Sequence, residues 1–305
     1  MEGEVPAVTL RAIWSLIVEA ASRWNEVAAP RLGAALAFYT MLSLAPLLIT
    51  CVAIAGLAFG REAAQGQILA QVQNLAGYPG SRAVQSLLAN ASHVAPGVAA
   101  MAAGIFLALF GASSVFCELR DSLNLVWGVN NSSATGIMGV IRYRFVSFLM
   151  ILGVGLLLLA SLLFSAGAAA AGKLMGGYLP APEGLLQIAD FVLSFLGVTV
   201  LFALLYKIVP EVRIGWQDVW IGAAVTAALF SLGKFLIGLY LGKAGLDSAY
   251  GAAGSLVAFL IWVYYSAQIF FLGAEFTRAY SERHGSRARV RMERSHTAAP
   301  KPVPQ

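Results

Sequence analysis

The chain has 305 residues, 59% hydrophobic and only 11% charged, with 20 Lys and Arg against 15 Asp and Glu, a formal charge of +5 and a mean hydropathy of +0.77. Soluble domains carry roughly 25% charged residues. This composition therefore excludes an ordinary soluble enzyme and a disordered chain, and it describes an integral membrane protein.

Residues 1–32 form a polar arm, expected on the cytoplasmic side. Within it, 8–28 reads as an amphipathic helix: Leu10, Ile13, Trp14, Ile17, Ala21 and Trp24 recur at spacings of three and four, with Arg11, Glu19, Arg23 and Glu26 elsewhere. Two tryptophans on the apolar side suit a helix in the headgroup layer. Packing on the end of the bundle is an equal alternative. The first apolar run is too long for the core of a cleavable signal peptide, so none is expected.

Six runs reach the roughly 20 helical residues that a hydrocarbon core requires: 33–59, 95–117, 145–172, 185–206, 219–241 and 250–274. The first three hold no charge, the fourth holds Asp190 and the fifth Lys234. Turn-punctuated alternation, the mark of a membrane barrel, is absent. The expected fold is all-α, a six-span bundle over 33–276. Between the first two spans, 60–94 reads as an outer helical hairpin divided at Gly77-Tyr78-Pro79-Gly80, a strong turn signal.

Fifteen Lys and Arg fall on the side that holds both termini, against four (Arg61, Arg82, Lys173, Lys243) opposite. The positive-inside rule then puts both termini in the cytoplasm of a multi-pass inner-membrane protein. Residues 277–305 carry the entire excess of positive charge and end Pro-rich, which predicts a basic, disordered tail facing anionic lipid. That distribution explains the pI near 9.3 without a nucleic-acid partner.

No cofactor, metal or catalytic set is expected. Cys51 and Cys117 lie at different depths, against a disulfide. His93, His284 and His296 are scattered, and neither a metal-ligand spacing nor a phosphate-binding glycine loop occurs. The candidate functional positions are therefore polar groups and a kink within or beside the spans. Pro46 interrupts the first span, with Ser43 beside it to compensate freed carbonyls. Tyr39, Thr40 and Ser43 add a hydroxyl-lined wall. Asp190 and Lys234 lie about 7–8 Å and about 10 Å from the outer ends of consecutive spans at 1.5 Å per residue, which predicts an intramembrane ion pair; separate snorkelling is the alternative. Glu118, Asn124, Tyr240, Tyr264 and Glu275 complete the set. Glu118 and Asp121 share a face just past the second span, as do Arg120 and Asn124, either as a surface ladder or as a docking surface at the inner mouth. Small residues at 111–114, 167–172 and 251–254 read as helix-packing contacts.

Four blocks carry a family resemblance. Ala-Leu-Ala-Phe-Tyr39-Thr-Met-Leu-Ser43-Leu-Ala-Pro46 in the first span is one. Gly111-Ala-Ser-Ser-Val-Phe116 running into Asn124-Leu-Val-Trp127 is the second. Val209-Pro210 followed by Trp216-Gln-Asp-Val-Trp-Ile-Gly222 is the third, and Tyr250-Gly251 through Trp262-Val-Tyr264 to Gly273-Ala-Glu275 the fourth. Over about 30–280 the chain resembles the YihY/BrkB family of bacterial inner-membrane proteins. The resemblance implies six spans and no agreed catalytic set. Some members are mislabelled ribonuclease BN; others are associated with serum resistance or envelope lipid traffic.

Three functions follow in order of expectation. The first is a transport-class protein, not an enzyme, moving a lipid, a lipid-linked precursor or an amphiphilic solute. Six spans are few for such a pathway, which admits a homodimer. The second is an envelope scaffold or assembly factor. The third, a membrane ribonuclease, finds little support, because phosphodiester hydrolysis generally wants clustered metal-holding carboxylates or histidines.

Overall fold

The structure, a computed structural model, describes residues 10–91, 98–129, 183–212, 214–243 and 254–288. The expected third span at 145–172, the small-residue stretch 167–172, His93, His296, and the tail beyond 288 lie outside them. Among the described residues all regular structure is helical: α1 (Leu10–Glu26), α2 (Ala29–Phe59), α3 (Arg61–Ala91), α4 (Val98–Val126), α5 (Glu183–Ile208), α6 (Trp216–Lys243) and α7 (Gly254–Arg283). Five of the six expected spans fall on α2, α4, α5, α6 and α7. By length and composition two helical stretches are long and apolar enough to cross a membrane, the 25 residues Trp216–Tyr240 and the 33 residues Leu256–Ala288. A third counts if Trp14–Glu26 and Ala29–Leu44, bent by 66°, act together.

The centre of the bundle is α7, against which α1, α2, α3, α4 and α6 all pack. From Ala267 to Ala279 it is buried almost all round, as an apolar helix in a bundle interior should be. Its tightest partner is the antiparallel α6. Gly222 and Thr226 on α6 meet Gly273 and Thr277 on α7 with reciprocal geometry. Each threonine hydroxyl donates to the carbonyl of the glycine four residues before it in its own helix (2.7 Å in both cases) while lying against the glycine of the other helix. A Cβ on Gly222 would overlap the Thr277 hydroxyl and come within 2.7 Å of its Cβ. The buried Tyr206 of α5 closes this crossing, its hydroxyl 3.1 Å from that of Thr226 and donating to the Phe270 carbonyl at 2.8 Å. Phe202, Tyr206, Phe230 and Phe270 stack around it.

Two further glycines set crossings. Gly111 on α4 faces the Cα and Cβ of Ser43 on α2, and Gly33 on α2 faces the Gln268 side chain of α7. Leu119, Leu123 and Val126 cluster with Ala29 and Leu32, so α2 and α4 run antiparallel. Pro46 is carried inside an unbroken α2.

Three expectations change. The hairpin expected over 60–94 is one helix by its backbone ladder, continuous through Gly77–Gly80. Its arms nonetheless pack into one cluster: Ile68, Leu69 and Val72 from one, Val84 and Leu88 from the other, around Leu48 and Val52. The tail does not begin at 277. The α7 helix continues to Arg283 and a further turn follows, because its basic residues find partners described below. Finally, α1 forms as expected, but Leu16 and Ala20 are the residues buried, against Phe276 and Ala279. The stripe of Trp14, Ile17 and Ala21 stays exposed, together with Val18. Packing takes one side of α1 and leaves free the side suited to headgroups.

Replacing Gly222 by Ala overpacks the α6–α7 crossing and should cost about 1–3 kcal/mol, read as a lower melting temperature in lipid nanodiscs. Thr277→Gly in the same chain removes all the atoms that clash, the Cβ included, and should recover part of the loss. A Gly222→Ala chain as stable as the parent would refute the close approach.

Candidate functional site

One end of the bundle gathers polar side chains from five elements. The α4 helix closes there on Gly128 in the left-handed region (φ 67°), with the Val129 N–H donating to the Asn124 carbonyl at 2.8 Å. This is the glycine-terminated cap that satisfies last-turn carbonyls. The buried Asn124 amide oxygen accepts the Glu211 N–H at 2.9 Å, and Arg120 pairs with the Glu211 carboxylate. Together these two contacts pin the α5–α6 connection to α4. Across that connection Lys207 donates to the Ile214 carbonyl and lies 5.3 Å from the centre of the Trp216 ring.

The start of α6 holds the end of α7. Asp218 is buried in the first turn of α6, where a carboxylate also complements the helix dipole. It accepts both the N–H (2.9 Å) and the hydroxyl (2.7 Å) of Ser286, whose oxygen in turn accepts the Gly215 N–H at 3.1 Å. Gly285 lies so close to this carboxylate that a side chain there would overlap it. Arg278 donates to the Val126 carbonyl, and Arg287 lies 5.1 Å from the centre of the Trp127 ring.

Ion pairs tie α1 to α7. Arg23 is 2.7 Å from Glu19 and 2.8 Å from Glu282, Arg278 is 3.0 Å from Glu282, and Arg283 pairs with Glu19. These groups are all partly exposed, so each pair singly contributes little. Beneath them, Glu275 is 0% exposed and neither carboxylate oxygen has a hydrogen-bond partner among the described residues. Two turns earlier on the same face of α7, both polar atoms of the Gln268 amide are buried and equally unpartnered. The indole N–H groups of Trp24 and Trp127 and the hydroxyl of Ser281 share that condition.

Of the expected positions, Asn124, Glu118 and Glu275 belong to this end. Glu118 is half-buried just past its span; burial pushes its carboxyl above the usual carboxylate range, Asp121 adds to the rise, and nearby Ser122 opposes it. Ser43 is buried at the Gly111 crossing, its hydroxyl donating to the Thr40 carbonyl at 3.1 Å and not to that of Leu42, which Pro46 leaves without its N–H. Thr40 likewise donates to Leu36 (2.7 Å), so these hydroxyls turn back onto their own helix. Tyr39 and Tyr264 are partly exposed, and Tyr240 is exposed beside Phe235, Leu236 and Leu239 on the outer face of α6.

Lys234 is also on that exposed face. Asp190 is in α5, but its side chain lies outside those described. The α5–α6 register pairs Tyr206 with Thr226 and Phe202 with Phe230, which puts Lys234 level with residue 198. The backbone of Asp190 is then offset by about 12 Å along the axis. The residues not anticipated from sequence are Gln268, Asp218, Ser286 and the reciprocal glycines and threonines. Only the Gly-x3-Thr spacing on both helices offered a signal.

A bundle of apolar helices crossing through glycine contacts, closed at one end by a polar network, defines a helical integral membrane protein. The chain belongs to the family described as virulence factor BrkB, whose profile matches residues 20–298. It is 29% identical over 260 residues to the UPF0761 membrane protein RSc1559 of Ralstonia nicotianae, an alignment covering 83% of this chain and 55% of that protein. It is 31% identical over 186 residues to a UPF0761 membrane protein of Legionella pneumophila (60% and 42% covered) and 38% identical over 100 residues to one of Tolumonas auensis (32% of each). The chain thus spans about half or less of the length of these curated relatives. No solved structure matches it.

Two predictions follow from this geometry. Asp218→Ala strands the Ser286 N–H and hydroxyl, a loss of about 1–3 kcal/mol, and should speed trypsin cleavage after Arg283 and Arg287; an unchanged rate would remove the clamp. Exchanging the charges in an Asp190→Lys, Lys234→Asp double variant tests the expected pair: rescue over the single variants, with a coupling above about 0.5 kcal/mol in nanodisc melting, supports it, and no rescue refutes it.

Proposed function

We propose that the chain is a transport-class protein of the bacterial inner membrane that moves a lipid, a lipid-linked precursor or an amphiphilic solute, and is not an enzyme. The observation that carries the reading is the pair Gln268 and Glu275 on one face of the most enclosed helix: Glu275 is fully buried, the amide atoms of the half-buried Gln268 are enclosed, and none of these polar atoms has a hydrogen-bond partner among the described residues. A charged group within a membrane helix costs roughly 2.5–3.5 kcal/mol on insertion scales. Without a compensating partner, stability alone gives no reason to keep it. A scaffold, the second reading, would be served as well by a leucine.

In this reading six helices cross the membrane and the polar end faces the cytoplasm. The gathering of Arg23, Arg120, Lys207, Arg278 and Arg287 at that end accords with the positive-inside rule. Basic residues beyond 288 meet anionic lipid, and a homodimer completes the pathway. Among the described residues no three His, Cys, Asp or Glu side chains converge on a metal-sized site, so the ribonuclease label draws no support here.

Reconstitution into vesicles with a fluorescently tagged phospholipid tests the reading. Dithionite added outside should bleach beyond the outer-leaflet half only when the protein is present, and Gln268→Leu should slow that excess. Bleaching that stops at the outer leaflet, with no lipid or lipid-linked molecule retained by the purified protein, would favour the scaffold.

A further inference from the structure

The functional reading leaves open what couples movement to energy, and Glu275 bears on that. Its carboxyl is wholly enclosed and has no hydrogen-bond partner among the described residues. The charged groups that act on it are Arg23 and Glu26 of α1 and Arg278 and Glu282 of its own helix. Both arginines are already committed: Arg23 to Glu19 and Glu282, Arg278 to Glu282 and the Val126 carbonyl. The carboxyl therefore sits behind a ring of neutralised charge instead of inside an ion pair. On its inner side, about 10 Å deeper at 1.5 Å per residue, the Gln268 amide occupies the same face of α7, packed against Gly33 of α2 with both polar atoms unpartnered.

We propose that Glu275 is a proton-binding site, taking a proton from water at the polar end, where the Arg23–Glu282 and Arg278–Glu282 pairs lie, and releasing it by the same carboxyl. The step is a simple acid–base exchange: the carboxylate plus a hydrated proton gives the carboxylic acid and water, with no other bond made or broken. Two observations favour a proton over a metal or alkali cation. Among the described residues it belongs to no group of three or more His, Cys, Asp or Glu that could hold a metal ion. Cations such as calcium also take about six or more oxygen ligands, and the nearest buried amide oxygen on this face is two turns away. A proton needs only the carboxyl itself. Loading neutralises this enclosed carboxylate and relieves its desolvation cost; unloading favours contact with Arg23 and Arg278. The inference rests on the transport reading only for what the proton drives.

The test is carbodiimide labelling of the full chain in nanodiscs. Dicyclohexylcarbodiimide reacts with protonated carboxyls in apolar surroundings, and peptide mass spectrometry locates the adduct. Glu275 should be the dominant site. Its labelling should be greatest at acidic pH and fall by about tenfold per pH unit above the midpoint, with sodium or potassium making no difference. Glu275→Gln should abolish the adduct and leave the size-exclusion profile and melting temperature at or above those of the parent. Labelling of Glu26 and Glu282 without Glu275 would overturn the proposal, as would pH-independent labelling or protection by sodium. If labelling behaves as expected while lipid movement is absent, the proton site stands and the transport reading falls.

Discussion

The crossing of α6 and α7 sets the geometry on which the rest depends. Between helices in lipid there is no hydrophobic force to speak of, because the tails are as apolar as the side chains, so association rests on close packing and on hydrogen bonds. Gly222 and Gly273 let the two backbones approach, and Thr226 and Thr277 fill the space that each opposing glycine leaves. Each hydroxyl is satisfied by its own helix, so the contact buries no polar debt. Tyr206 then attaches α5 to the same point. Three helices are locked in register by a few small residues, and that register puts the end of α7 over the start of α6.

With that register set, the polar end assembles from parts that are distant in sequence. Asn124 and Arg120 reach Glu211, Arg278 reaches the last turn of α4, and Asp218 holds Ser286. Three of the four blocks that carry the family resemblance meet here: Asn124 to Trp127, Val209-Pro210 with Trp216 to Gly222, and Gly273 to Glu275. The fourth, around Ser43 and Pro46, lies at the α2–α4 crossing. The motif residues thus serve helix crossings and the closure of one end. Among the motif carboxylates described, Glu275 is enclosed without a hydrogen bond, whereas Asp218 is held by Ser286.

Much of this was legible in the sequence, and the gaps have physical causes. Long apolar runs announce membrane helices because hydrocarbon imposes a length, and five of the six runs fall on described helices. The amphipathic α1 was visible too, but periodicity identifies an apolar stripe without saying whether protein or lipid will meet it. Leu16 and Ala20 met the protein, and Trp14 and Ile17 did not. Gly77-Tyr78-Pro79-Gly80 reads as a loop because local chemistry favours one; packing of the flanking residues with Leu48 and Val52 outweighs it, and the helix runs through. Composition also drew the boundary at 277 too early. A run of arginines looks like a solvated tail until Glu282, Glu19, Val126 and Trp127 supply partners from three other turns of the fold. Depth counted from run ends set Asp190 against Lys234, whereas the register fixed by Tyr206 and Thr226 puts the backbone of residue 198 level with that lysine.

The same register gives Glu275 its position. Two residues before it, Gly273 touches Thr226; two residues after it, Thr277 touches Gly222. Glu275 therefore cannot slide or rotate toward water without undoing the crossing that holds three helices. A side chain on a frayed end would snorkel to the interface and leave its burial harmless, but here the backbone is held on both sides and the carboxyl is kept inside. An enclosed carboxylate is costly unless paired or protonated, and the arginines that would pair with it are held by Glu282. The interlock that stabilises the bundle is thus also what denies this acid its solvent. Its charge state is left to depend on the one small ligand that needs no room and no partner.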